Sequence, residues 1–212
     1  VAWLAGTPPA GFTYDTSVAG TLLVKQGAVT VITVTITNAA TGAYSVVQNA
    51  PIAHVAGLDE NNQAFTLTYQ VTDSDGDTAN GTLSIDVDDD TPTVSSNTLV
   101  QLDDDALIGG NLGGTGDVSP DTANLTGTLA HSYGADSNGS MTYLTTGAPV
   151  GFTYQLNGTS LEVFQGATKV MTLTLNTSTG AYTVTQNAPI AHVAGLNENN
   201  QAFTLNYRVT DG

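Results

Sequence analysis

One stretch of this chain occurs twice. TGAYSVVQNAPIAHVAGLDENNQAFTLTYQVTD, at Thr41–Asp73, returns as TGAYTVTQNAPIAHVAGLNENNQAFTLNYRVTD at Thr179–Asp211. The two copies are identical at 28 of 33 positions, at an offset of 138. GFTY at Gly11–Tyr14 returns at Gly151–Tyr154, at an offset of 140. Solenoid repeats have periods of about 20–50 residues, so a period this long makes each copy a whole domain. The chain holds about one and a half periods, with Val1 aligned to Met141. Residues 1–90 are therefore expected to be the C-terminal part of one repeat. Residues 91–212 are expected to be a second repeat lacking its last strand. Such a chain reads as a window on a longer tandem array, or as copies that complete one another between chains by donating strands.

The two copies act as a control on burial. Phe65, Leu67, Tyr69 and Val71 alternate along one strand and return as Phe203, Leu205, Tyr207 and Val209, while Thr68 becomes Asn206 and Gln70 becomes Arg208. Ile32, Val34 and Ile36 become Met171, Leu173 and Leu175; Tyr44 and Val46 return as Tyr182 and Val184, while Val47 becomes Thr185. A kept face beside a drifting face is the signature of a half-exposed antiparallel strand. Gln26-Gly27, Thr41-Gly42, Asp75-Gly76 and Asn138-Gly139 supply turns between the runs. No stretch follows a 3.6-residue period. The expected fold is all-β: tandem Ig-like antiparallel sandwiches. Pro92 marks the boundary and pushes Thr91 towards extended backbone, so the connection should be short and stiff.

The charge is one-sided. Asp and Glu number 19 against three basic residues, Lys25, Lys169 and Arg208, for a formal net charge of −16. That excludes a basic nucleic-acid-binding face and attraction to an anionic membrane surface. The absence of cysteine excludes disulfide scaffolds, thiol catalysis and cysteine-ligated zinc. No segment reaches the roughly 18 apolar residues of a membrane-spanning helix. Cations are the natural partners.

Twelve of the 19 acidic residues lie between Asp73 and Asp121. They gather as Asp73, Asp75 and Asp77, then Asp88, Asp89 and Asp90, then Asp103, Asp104 and Asp105, with Asp117 further on. Single aspartates suit turns. Triplets repel, and a hard divalent cation with six to eight oxygen ligands turns that repulsion into attraction. Ca2+ is therefore the expected cofactor. Asp73–Thr78 reads as a hairpin tip and Asp88–Pro92 as the linker at the far end of the next strand. Asp211 opens the matching tip of copy 2 and is expected to approach Asp88–Asp90. A strand of about nine residues from Pro92 would span roughly 30 Å and put Asp103–Asp105 at the far end of its domain. Each junction would then collect carboxylates from neighbouring repeats. The pattern is not an EF-hand, because position twelve from Asp73 is Ser84 and the glycine comes fourth. GGTGD at Gly113–Asp117 is similar to a fragment of the calcium-binding β-roll nonapeptide, but one fragment makes no roll.

LDDDALIGGNLGGTGD, TGAY, NAPIAH and YQVTDSDGDTANGTLSIDVDDDTP together resemble the long Ig-like extender repeat of very large type I-secreted, RTX-type biofilm adhesins of Gram-negative bacteria. That resemblance spans nearly the whole chain. It implies an extracellular stalk without catalysis, whose neighbouring repeats are its partners and whose junctions calcium stiffens. It implies ligand roles for Asp73, Asp75, Asp77, Asp88, Asp89, Asp90 and Asp103–Asp105. Related repeats read more like PLDHP where this chain has PIAHV, so no ligand role carries over to that segment. Two further readings stand beside the stalk: a subunit of a self-assembling filament, and a glycan-binding sandwich. His54 and His192, in the duplicated segment, read as structural residues with only Glu60 or Glu198 nearby. No nucleophile-elbow pattern or acid–base pair of carboxylates accompanies them. Trp3 and its counterpart Tyr143 read as packing aromatics.

Overall fold

The computed structural model describes residues 1–55, 61–136, 139–194 and 199–211. Glu60, Asn138 and Glu198 lie outside them. The chain divides into two compact units, Val1–Thr91 and Pro92–Gly212. Both are all-β.

Unit 1 holds β1 (Ala2–Leu4), β2 (Phe12–Asp15), β3 (Thr21–Gln26), β4 (Val29–Asn38), β5 (Ala43–Gln48), β6 (Gln63–Thr72) and β7 (Thr78–Val87). One antiparallel sheet has the order β2-β3-β4-β5 and the other β1-β6-β7. The inward side chains of both meet in one core: Trp3, Phe12, Leu22, Val24, Ile32, Val34, Phe65 and Leu67 among them. This is a two-sheet sandwich, as the alternation along each strand requires. The β3–β4 register breaks the alternation inside the core. Val31 and Ile32 are adjacent yet both buried, because the β3–β4 register shifts there and leaves Val31 as an extra residue. Such a bulge turns two successive side chains to one face. Unit 2 repeats it at Val170 and Met171.

Unit 2 holds β8 (Thr93–Val94), β9 (Asn124–Thr128), β10 (His131–Ser132), β11 (Ser140–Tyr143), β12 (Phe152–Asn157), β13 (Ser160–Gln165), β14 (Thr168–Leu175), β15 (Ala181–Gln186) and β16 (Tyr207–Thr210). Its large sheet has the order β12-β13-β14-β15-β9. Two small sheets, β8-β10 and β11-β16, complete the strand set among the described residues.

Three expectations change. The run from Pro92 is not one long strand: β8 stops at Val94, because the Asn97 side chain takes over the next pairing position and accepts from the Ala130 amide at 2.8 Å. Phe203 and Leu205 are half-buried and outside any strand, whereas Phe65 and Leu67 are sealed. β7 pairs β6 from Gln63↔Val87 to Thr72↔Thr78, and no such partner flanks 199–206 among the described residues. Tyr44 and Val46, read as inward, are 52% and 42% exposed. Their counterpart sheet in unit 2 has a fifth strand, β9, and Val100 and Leu102 packed on its core.

Two tyrosines lie over glycines. Tyr69 pairs Gly81 across β6–β7, and a Cβ on that glycine would come within 2.4 Å of the ring. Tyr182 pairs Gly127 across β15–β9, where a Cβ would come within 2.5 Å of the hydroxyl. Only glycine admits the ring. For the core, Leu67→Ala should cost unit 1 about 2–5 kcal/mol. Val47→Thr, which installs the copy-2 residue on an exposed position, should stay within about 0.5 kcal/mol. Denaturant unfolding of the two variants checks both.

Candidate metal centre

The leading loop of unit 2 folds back on itself. Asp103 caps a short 3-10 turn at Asp104–Ala106, its carboxylate accepting from the Asp105 amide at 2.9 Å. The Asp103 amide donates to the Thr122 carbonyl at 2.9 Å, drawing Asp121 alongside. Gly113 and Gly116 have φ of 81° and 100°, the left-handed backbone that lets the chain turn inward at Asp117. As a result Asp103, Asp117 and Asp121 each place a carboxylate oxygen within 4.8 Å of the others. Asp103 and Asp117 are half-buried and Asp121 is exposed. Asp105 Oδ2 and Asp117 Oδ1 are buried and accept no hydrogen bond. Partial burial, and then the charges of Asp103, Asp117, Asp121 and Asp104, push the Asp105 carboxyl above its ordinary value. Lys25 and Lys169 pair elsewhere, with Asp15 and Glu162. Among the described residues no lysine or arginine reaches this group.

Asp104 turns away from its neighbours. Its carboxylate accepts from Gln186 Nε2 and, at 2.9 Å, from the Ile190 amide. His192 Nε2 lies 3.5 Å away. Asp104 thus fastens the loop to the end of β15 and to the NAPIAH segment, and the triplet splits between two tasks.

The β6–β7 tip gathers Asp73, Asp75 and Asp77 within the same 4.8 Å, all exposed. Asp73 Oδ1 accepts from the amides of Asp75, Gly76 and Asp77 at 3.3, 3.1 and 2.9 Å. The Asp75 side-chain hydrogen bond and, less strongly, these amides hold the Asp73 carboxyl below its usual range against partial desolvation. Asp211 follows β16 as Asp73 follows β6.

Asp88, Asp89 and Asp90 form no such group among the described residues. Asn62 Nδ2 donates to Asp86 at 2.9 Å and to Asp88 at 2.7 Å. Asp89 Oδ2 accepts from Asn61 Nδ2 at 3.3 Å, and its Oδ1 from the Asp90 amide at 2.9 Å. His54 Nδ1 lies 2.8 Å from Asp89 Oδ1, out of hydrogen-bond alignment, and the two side chains are 6% and 10% exposed. Sequence reading missed Asp89 as the partner of His54, Asp104 as the partner of His192, and Asp121 as a cluster member. The only available signal for Asp121 was the glycine-rich run that brings the chain back.

Oxygen-only donor sets of this kind suit a hard cation such as Ca2+. A family described as a domain of unknown function (DUF5801) matches residues 12–86, from β2 into β7. Neither a curated protein nor a solved structure matches the chain.

Asp105→Asn tests the centre. Its carboxyl is raised because ionisation is disfavoured in the fold, so the neutral amide should raise the melting temperature of unit 2 in chelator. If a cation sits at this group, the same change removes a carboxylate beside it and should shrink any rise that calcium produces. Calorimetry in chelator and in calcium reads both signs.

Proposed function

We propose that this chain is a structural extender of a calcium-dependent extracellular adhesin, with no catalytic role. The observation that carries this reading is the Asp103–Asp117–Asp121 group, in which Asp117 Oδ1 is buried and accepts no hydrogen bond, beside Asp105 Oδ2 in the same state, with no basic side chain among the described residues to neutralise it. The repeat and the resemblance to RTX-type stalk repeats support it further. Calcium would draw the leading loop together through Asp103, Asp105, Asp117 and Asp121, and would bind the β6–β7 tip through Asp73, Asp75 and Asp77. Asp104 would transmit that order to the sheet through Gln186 and Ile190. At the junctions, Asp88–Asp90 and the tip opened by Asp211 would bring neighbouring repeats to a shared cation. A chain exported unfolded at low calcium would fold only outside the cell.

Extracellular calcium modules bind at about 10⁻⁴–10⁻³ M. At 100 times the dissociation constant, one site adds about 2.7 kcal/mol. Thermal melting in calcium against chelator should therefore show a shift on the order of 10 °C for a unit of this size. Equal melting temperatures would remove calcium from the account. Alanine at Asp88, Asp89 and Asp90 together should broaden the small-angle scattering envelope at saturating calcium while leaving the strand content by circular dichroism unchanged.

A further inference from the structure

Asparagine before glycine is a chemically labile pair, because a residue without Cβ leaves its nitrogen free to approach the asparagine side chain. The chain holds three such pairs: Asn80-Gly81, Asn138-Gly139 and Asn157-Gly158. Asn138 lies outside the described residues. The other two sit in different surroundings.

Asn80 is the third residue of β7, a ten-residue strand paired with β6 along its whole length. Gln70 Nε2 donates to its Oδ1 at 3.1 Å, and the Tyr69 ring lies where a Cβ on Gly81 would stand. Asn157 is the last residue of β12, an edge strand of its sheet. Its pair with Ser160 closes a two-residue turn, Gly158-Thr159. Asn157, Gly158 and Thr159 are all exposed. Gly158 has φ of 61°, its amide donates no hydrogen bond among the described residues, and a Cβ placed there meets nothing within 4 Å. Attack on the side chain requires the Asn–Gly peptide to leave the extended conformation. At Asn157 that takes the fraying of one terminal pair. At Asn80 it also takes the opening of Val71↔Ala79 and Thr72↔Thr78 and the displacement of the tyrosine, a costlier local unfolding.

We propose that Asn157 is a self-modifying site that loses its side-chain amide, while the paired strand protects Asn80. The Gly158 nitrogen gives up its proton and bonds to Asn157 Cγ. The Cγ–Nδ2 bond breaks, and Nδ2 leaves as ammonia with that proton. Water then opens the succinimide ring at either carbonyl. One opening gives aspartate, and the other gives isoaspartate, whose backbone runs through the former side-chain carbon. Asn157 Nδ2 donates to Glu162 Oε1 at 3.1 Å, and Lys169 Nζ donates to the same oxygen at 3.1 Å. The Asn157 donor first, and then Lys169, hold the Glu162 carboxyl below its ordinary value. Conversion puts a carboxylate in place of that donor and leaves Lys169 to serve two. The isoaspartyl product also lengthens the backbone of a turn that sets the Asn157↔Ser160 register. The counterpart connection in unit 1, Thr16–Gly20, has no asparagine, so the change marks the second copy alone. This inference rests neither on calcium nor on the stalk reading.

The test holds the full chain at mildly alkaline pH, folded and in denaturant, and reads each asparagine by peptide-mapping mass spectrometry that separates aspartate from isoaspartate. In denaturant Asn80 and Asn157 should convert at similar rates. In the folded chain Asn157 should convert about tenfold faster than Asn80 or more, with both products present. Equal rates at the two sites in the folded chain would overturn the inference. So would an Asn157 that stays unconverted there. Aspartate at Asn157 without isoaspartate would mean direct hydrolysis of the amide with no part for Gly158, and that result also overturns it.

Discussion

Carboxylates held close without a counter-charge push one another apart. The leading loop of unit 2 is built around that push. Asp103, Asp105, Asp117 and Asp121 converge because backbone hydrogen bonds and two left-handed glycines force them to, not because they attract. Three contacts that help close the unit hang from the same loop: Val100 and Leu102 on the core, Asp104 on the end of β15, and β9 along its edge. A cation at the centre would therefore act on the packing of the whole unit, not only on the loop. Unit 1 places its acidic group differently, on the exposed tip of a hairpin whose ten-residue strands are already fully paired. There an ion has less to organise.

The two copies keep the same frame around the duplicated segment. Gln26 clamps Ala53 through both its amide atoms, at 2.8 and 2.9 Å, and Gln165 clamps Ala191 at 2.8 and 2.8 Å. Asn61 and Asn199 each donate to the carbonyl of the valine that follows the histidine, Val55 or Val193. Within that constant frame the histidine meets a different aspartate: Asp89 of the trailing linker in unit 1, Asp104 of the leading loop in unit 2. The segment is thus a fixed seat that receives an acidic partner from either end of a repeat.

Much of the fold was legible in the sequence because a two-residue period survives in both copies where side chains face the core. The bulge at Val31 was not, since an extra residue in a run of Val, Ile and Thr leaves no mark on composition. The exposure of Tyr44 and Val46 was not legible either. Burial depends on a covering strand from far along the chain, and alternation records only which face a residue takes. Of the acidic triplets, Asp73-Ser74-Asp75-Gly76-Asp77 was readable because a hairpin tip folds locally. Asp103–Asp105 was not readable as a set: successive residues on a 3-10 turn point different ways, so Asp104 left, and Asp121 joined Asp117 and Asp103 through long-range contacts. Asp88–Asp90 leave an extended strand, where neighbouring side chains alternate faces and cannot close on one point.

The tyrosine over a glycine fixes how two strands align, but it says nothing about whose strand it is. Neighbouring repeats that are nearly identical offer each other strands of nearly equal worth. Correct and exchanged pairings would then differ mainly by proximity along the polypeptide, an effective concentration of millimolar order for a short connection. Near-identical domains in series are prone to such exchange while they fold. An array of these repeats would hold its connectivity through the order in which its domains emerge and close, a kinetic safeguard that the finished fold does not record.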